Sequence, residues 1–426
     1  MGSRRSRSGS PPPAKRFRLE QEVSEASDTP SKRVSYRNGA FLAPMVRSGT
    51  LPSRLLALKY GADLVWGPEV VDRAIIGCER VIDGDWVISY EKNGRLIWST
   101  HPIEKPYLVY QIGSANPQFA VQAALTVIHD VSAVDLNCGC PKPFSTHAGM
   151  GANLLYTPDL LCEILSSLRS AIPSYIPVTA KIRLLPDAND TLKLVERIVK
   201  TGISALTVHC RTKDMRKTEE AHVHRLGAIV DFVNQLGEGI PVIENGDCTS
   251  REDGSRIKER TGRVEWAVVF IWSHISLGVD SVMIATAAER NLSCFANGPL
   301  LDAETVLSPT YLSLARYLKN PWGNSKHCVS QFTSPSPVNG RAGLKAFKDK
   351  LGKAKGYLDF DEEIGGTPDG KVIMDEIKDI LRRRTATALE ALEPCEPAFT
   401  EASARIASVF VTPPQSPVTA AVQSTA

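Results

Sequence analysis

Eight short apolar runs, each separated from the next by a stretch with helical character, set the strongest limit on what this chain can fold into. They are FLAPM (41 to 45), DLVWG (63 to 67), YLVYQI (107 to 112), AVDLNC (133 to 138), VTAKIR (178 to 183), ALTVHC (205 to 210), PVIENG (241 to 246) and SVMIATA (281 to 287). The runs are nearly continuous rather than alternating, as expected of strands covered on both faces by crossover helices. Eight such strands are best satisfied by closing on themselves, which leaves no sheet edge. The fold class predicted is therefore α/β, a (β/α)8 TIM barrel, with an open doubly wound sheet as the second choice.

The segments between the runs carry helix punctuation. Asn116-Pro117 and Thr157-Pro158-Asp159 read as caps and first turns, and Gly61 and Gly202 stand where a C-terminal cap belongs. In the long stretch 68 to 106, Asn93-Gly94 between alternating residues predicts a hairpin decorating one rim. The segment 263 to 278 separates a helix from the strand it should feed and reads as an insertion or a gene-prediction artefact. Residues 299 to 390 read as a helical domain, with periodicity in 311 to 319, 341 to 355 and 370 to 384. Residues 1 to 37, rich in Ser, Pro and Arg, are expected to be a disordered basic arm, and 391 to 426 a disordered tail. The Arg4-Arg5 and 14 to 18 clusters of that arm suit a nuclear address, an RNA contact or a solvated tail, and the Arg and Ser content also fits a mitochondrial presequence except that Pro11 to Pro13 would break its helix.

The longest apolar run, Trp266 to Trp272, is far short of a membrane span. With no apolar signal core at the N-terminus, the chain is expected in the cytoplasm and/or nucleus, as a monomer. Nine cysteines without a CxxC pair fit neither a disulfide framework nor a metal site, so no metal is expected. The net charge of +3 hides a local excess: residues 311 to 355 hold nine Lys or Arg against one acid, Asp349, which suggests a polyanionic partner.

In a barrel of this kind the working residues project from the C-terminal ends of the strands. Those ends carry Pro44-Met45, Gln111, Asn137 with Cys140 just beyond, Lys181 and Arg183, His209 and Arg211, Asn245-Gly246-Asp247, and Ala285-Thr286. A lone Lys at a strand end is mostly a solvated charge, a lone His mostly a satisfied one, and a lone Gly mostly a turn. Their joint occurrence at successive ends makes them a candidate site.

The stretches LAPMVRSGTLPSRLLALKYGADLVWGPEVVD, VDLNCGCPKPFSTHAGMGANLL, AKIRL, VHCRT and ENGD together resemble the tRNA-dihydrouridine synthases, and most of all the eukaryotic class acting at D-loop position 20. The resemblance covers about residues 38 to 385. It implies FMN on the barrel's C-terminal face, NADPH as reductant and tRNA as partner, with the helical domain binding the RNA. Cofactor contacts are then expected from Pro44, Met45, Gln111, Lys181, His209, Asn245, Gly246, Asp247, Ala285 and Thr286, with Gly246 and the Ala285-Thr286 turn supplying backbone N–H groups to the phosphate. The family's acid falls on Cys140, whose neutral thiol is a workable proton donor to uracil C5. Asn137 and Arg183 are expected at the uracil edge, with Lys142 and Arg211 as base or phosphate contacts. Thr286 stands where the resembling eukaryotic enzymes tend to carry Arg, and Arg216-Lys217 stands where the family usually has Arg-Pro. Two other readings stay open: an FMN reductase of a small molecule, and a catalytically silent RNA-binding barrel.

Overall fold

Val, Ile, Leu and Ala fill both faces of the predicted runs, and each run forms a strand. The computed structural model describes residues 34 to 262 and 278 to 390. The barrel strands are β1 (Ala40–Leu42), β2 (Leu64–Trp66), β3 (Leu108–Gly113), β4 (Ala133–Cys138), β5 (Val178–Arg183), β6 (Ala205–His209), β7 (Val242–Asn245) and β8 (Ser281–Ile284). Every neighbouring pair is parallel, and pairing of β1 with both β8 and β2 closes the ring. The closed barrel, and not the open sheet, is therefore the fold.

The inside of the barrel is filled rather than hollow, as side-chain layers require. Phe41, Leu64, Trp66, Val109, Ala133, Ala205, Ile243 and Met283 pack there together with Tyr36. Tyr36 is buried, its carbonyl accepts from Ser281 Oγ at 2.7 Å, and the neighbouring Arg37 pairs with Asp280. Residues 34 to 37, assigned from sequence to the basic arm, are thus part of the barrel. Ser, Pro and Arg density does not reveal this anchoring, because one buried aromatic is enough to fix a short segment.

Local signals explain the crossovers. Asn116 caps the helix Pro117–Val127 by accepting from Phe119 N at 2.9 Å, and Gly61 and Gly202 take φ of 111° and 80° at helix ends, as C-terminal caps do. Asn93 and Gly94 have φ of 53° and 71°, the conformation of a type I′ hairpin, between strands Ile88–Lys92 and Arg95–Thr100. A third strand, Glu79–Ile82, completes an antiparallel sheet; its mostly exposed side chains gave it no apolar signature. All but Gly278 of the segment 263 to 278 lies outside the described residues, as do residues 1 to 33 and the tail from 391.

The chain divides into one unit ending at Arg384 and another beginning at Thr385, of which the end of the helix Gly370–Glu390 is described. Within the first unit the helices after β8 lie directly on the barrel. Tyr311 is buried and shares a 3.1 Å hydrogen bond with Thr50, and Arg384 donates to the carbonyls of Leu58 and Ala62. The helices Ser308–Tyr317, Gly340–Lys353 and Gly370–Glu390 match the predicted periodic segments. Trp322–Gln331 falls within the region read as helical but outside its periodic segments, because WGNSKHCVSQ buries only Ser325, Cys328 and Val329 and has little apolar period to read.

Candidate active site

The strand ends bring most of the predicted residues into one layered arrangement. Register aligns Gln111 with Asp135 and Asp135 with Thr179, then Asn137 with Lys181, then Arg183 with His209 and His209 with Asn245. Gln111 Nε2 donates to Asp135 Oδ2 at 2.8 Å, and Thr179 Oγ1 donates to the other carboxylate oxygen at 2.6 Å. Asp135 is fully buried, and burial lifts its pKa to about 6 despite those bonds. It fixes the Gln111 amide from below.

Above that layer, Lys181 Nζ donates to Asn245 Oδ1 at 2.7 Å, and Asn245 Nδ2 donates to the Met283 carbonyl at 2.8 Å. Burial, aided by the Arg183 charge, lowers the Lys181 pKa to about 8. His209 is held neutral, its pKa driven far down by burial and then by Lys181, Arg183 and Arg211. The layer therefore carries several donors and a surplus of positive charge that costs free energy without an anion.

Cys140 sits just past β4 on a loop held at several points. Asn137 Oδ1 accepts from Gly139 N at 2.9 Å and Cys140 N at 3.1 Å, and Cys140 O accepts from Ala152 N at 2.9 Å. Gly151, at φ 59°, lets the chain pass closely: a Cβ there would lie 2.6 Å from Cys140 O. The Cys140 side chain is half-buried, and burial together with the Glu69 carboxyl pushes its thiol pKa up. It is protonated at neutral pH. By contrast, Cys138 and Cys210 lie in the packed interior, as small apolar fillers do.

Arg183 and Arg211 are engaged by protein groups. Arg183 Nε donates to Gly139 O at 2.7 Å and its Nη1 to Thr212 O at 2.9 Å. Arg211 Nη2 meets both oxygens of Asp247, at 2.6 and 2.7 Å, and Asp247 Oδ2 also accepts from Ala221 N. Gly246 is needed by packing: a Cβ there would lie 2.9 Å from Ala221 Cβ. Pro44 and Met45 are half-exposed at the end of β1, Thr286 is exposed at the start of the helix Thr286–Arg290, and Lys142 is exposed beside the half-exposed ring of Phe144.

Three participants were missed from sequence. Glu69 lies three residues beyond β2, accepts weakly from Ser145 Oγ at 3.4 Å and has its Oε2 buried without a partner among the described residues. Burial raises its pKa, opposed by the nearby polar side chains of Cys140, Ser145 and Asn137. Its signal was an acid directly after an apolar strand, within WGPE. Asp135 had a comparable signal, a carboxylate in the middle of an apolar run, whereas Ser145 had none.

Residues 41 to 269 match the family described as Dihydrouridine synthase (Dus). The chain belongs to that family. It is 45% identical over 312 residues to the tRNA-dihydrouridine(20) synthase [NAD(P)+] of Schizosaccharomyces pombe, covering 71% of this chain and 61% of that protein. It is 39% identical over 325 residues to the protein of the same name from Saccharomyces cerevisiae, covering 72% of this chain and 79% of the relative. Similarity to the Saccharomyces cerevisiae tRNA-dihydrouridine(20a/20b) synthase [NAD(P)+] is lower, 28% over 219 residues, covering 51% and 56%.

The donor set at the mouth fits a flavin. A buried lysine, a neutral imidazole and an amide fixed from below answer a ring whose edge mixes carbonyls with an imide N–H. The excess positive charge around Lys181 suits a ring that becomes anionic on reduction. Among the described residues no group of three His, Cys, Asp or Glu is placed to hold a metal ion.

Proposed function

We propose that this chain reduces uridine to 5,6-dihydrouridine in tRNA, at D-loop position 20, with FMN as cofactor and NADPH as reductant. The observation that carries the reading is a protonated, half-exposed Cys140 thiol on a fixed loop at the same strand-end face as the Lys181–Asn245 pair. Gln111, Lys181, His209 and Asn245 would hold the flavin ring. Pro44 and Met45 would flank it, and backbone N–H groups around Gly246, Asp247, Ala285 and Thr286 would meet its phosphate. When bound and reduced, FMN supplies the hydride that uracil C6 requires.

This chain's residues do the rest. Cys140 delivers the proton to C5, and its half-exposed position allows it to recover one from solvent. Asn137 and Arg183, expected on the uracil edge, are drawn into holding the Cys140 loop. They act first as positioning residues, and the Arg183 nitrogen not used by Gly139 or Thr212 remains for the base. Lys142 is exposed and meets base or phosphate, and Arg211 acts through its clamp on Asp247. Removing the target uridine from its stack is the step that requires tight tRNA binding.

The helices after β8 supply that hold. Of their cations, Arg316 pairs with Asp361, Lys319 with Asp83 and Lys350 with Glu363. Arg341, Lys345, Lys348 and Lys353 form no ion pair among the described residues and remain for phosphates. The test is to incubate the full chain with FMN, NADPH and unmodified tRNA, and to map dihydrouridine by position. Dihydrouridine at position 20, lost in Cys140→Ala, is the expected result. A colourless protein that binds no flavin and leaves uridine unreduced would overturn it in favour of a silent RNA-binding barrel. Reduction of a free pyrimidine or enoate with no action on tRNA would favour a small-molecule reductase.

A further inference from the structure

Where the β1 loop meets the helices, a cavity of about 300 Å³ is lined by Arg47, Lys326, His327, Ser330, Lys348 and Leu351, with glycines 323 and 352 completing the wall. No carboxylate lines it. Arg47 lies two residues beyond Met45, at the same strand-end face as Cys140, and takes φ of 70°, a conformation uncommon for a residue with a side chain. The loop is held there: Cys328 Sγ donates to Arg47 O at 3.5 Å, and Ser48 Oγ donates to Glu289 at 2.7 Å.

The cations of this cavity divide by what they already touch. Lys326 Nζ donates to Gly352 O at 2.7 Å and Ala354 O at 3.0 Å, so it ties the helix Trp322–Gln331 to the end of Gly340–Lys353 and forms fixed wall. The guanidinium of Arg47 and the half-buried ammonium of Lys348 have no hydrogen-bond or ion-pair partner among the described residues. The His327 imidazole has its pKa lowered by burial and then by Arg47, with Glu289 opposing. Two unpaired cations around one small space repel each other, and an anion placed between them removes that repulsion, while the neutral imidazole beside them can still donate one N–H.

We infer that this cavity seats one backbone phosphodiester of the RNA, clamped between Arg47 and Lys348, with His327 as a third donor. The inference rests on the reading that tRNA is the substrate. A guanidinium presents a planar fork to two phosphate oxygens, while an ammonium acts as a point charge, so the pair fixes a phosphate in orientation as well as place. Because Arg47 is covalently two residues from the mouth, a phosphate held there sets the register of the strand that enters. Lys345 and Lys353, exposed and outside this wall, attract RNA without fixing it.

The test uses the full chain loaded with FMN and measures its Kd for unmodified tRNA across a series of KCl concentrations. Arg47→Gln and Lys348→Gln are each expected to weaken binding roughly 10-fold, the order of a lost hydrogen bond to a charged group. Each should also lower the slope of log Kd against log salt by about 1, and the double variant by about 2. Lys348→Arg should keep the slope, while flavin content and the rate of flavin reduction by NADPH stay unchanged in all variants. Wild-type affinity and slope in the double variant would overturn the inference and leave the dihydrouridine reading standing. So would a defect confined to flavin reduction by NADPH, which would assign the seat to the phosphate of the dinucleotide. Failure of the unaltered protein to bind tRNA would instead remove the substrate reading, and the seat with it.

Discussion

The mouth of the barrel and the helix Gly340–Lys353 both carry positive charge, and they carry it in opposite ways. At the mouth, Lys181, Arg183 and Arg211 are buried and each is tied to a named acceptor: Asn245, Gly139 and Asp247. On the helix, Lys345 and Lys353 are exposed, with no ion pair among the described residues. Charge fixed in a poorly hydrated site acts strongly and over a short range, and salt barely screens it. Charge on exposed side chains acts from a distance and is screened. On the proposed function, that difference divides two tasks: attraction of RNA by a diffuse field, and chemistry by groups already fixed to protein acceptors.

The hardest way to break that contrast is at Cys140, the group that the proposed reduction requires to release a proton. Cys140→Ala should lower the rate of uridine reduction by about 10²- to 10⁴-fold, the usual worth of a positioned acid, with flavin binding and tRNA affinity unchanged. Rapid-mix single-turnover measurement reads it directly. Because burial and Glu69 push the thiol above the ordinary 9.0, activity of the unaltered enzyme should persist into alkaline pH where a free thiol has ionised. A high-pH limb falling below pH 9 would contradict the thiol as the acid.

Next in size is the fixed amide layer. Lys181→Met removes the donor to Asn245 Oδ1 and the positive charge beside the proposed ring. FMN affinity should fall roughly 10- to 100-fold, as expected for loss of a hydrogen bond to a charged group, and fluorescence titration of FMN would measure it. The same measurement at 50 and 500 mM KCl sharpens the contrast, since a buried contact should be nearly indifferent to salt. For the helix the opposite holds: Lys345→Gln with Lys353→Gln should weaken tRNA binding only a few-fold at low salt and lower the salt slope by roughly 2. A salt-independent loss there would place those lysines in a fixed contact.

The two regions also differ in how far they could be read from the sequence. The barrel was legible because burial on both faces leaves an unmistakable run, and because strand ends are where polar residues interrupt it. Lys181, His209 and Asn245 became candidates that way, and the register brings them together at one end of the barrel. The fixed contacts were not legible, because they are made between residues distant in sequence: Asp135 under Gln111, and Glu69 beside Cys140. Nor could the sequence show that Asn137 and Arg183, expected at the uracil edge, also hold the Cys140 loop through Gly139. The basic excess in 311 to 355 was visible, but not its partial cancellation by Asp83, Asp361 and Glu363, which only folding brings near.

The smallest effect concerns what the fixed mouth costs the fold. Glu244 precedes Asn245 on β7, is fully buried, and has neither carboxyl oxygen bonded among the described residues. Burial, with Asp247 and Asp253 adding repulsion against weaker help from Lys181 and Arg211, holds its pKa well above the ordinary 4.5. The folded chain therefore keeps a proton that the unfolded chain releases above about pH 4.5, so this residue's contribution to stability is full below that value and declines as pH rises. Glu244→Gln supplies a neutral group of the same shape and should flatten the fall in Tm between pH 5 and 8, with the largest gain at the alkaline end. Salt should leave this gain in place, because the group is out of reach of screening ions. If the variant's Tm runs parallel to that of the unaltered protein across the range, Glu244 is already matched by a partner in solution, and the mouth's support is less strained than its geometry indicates.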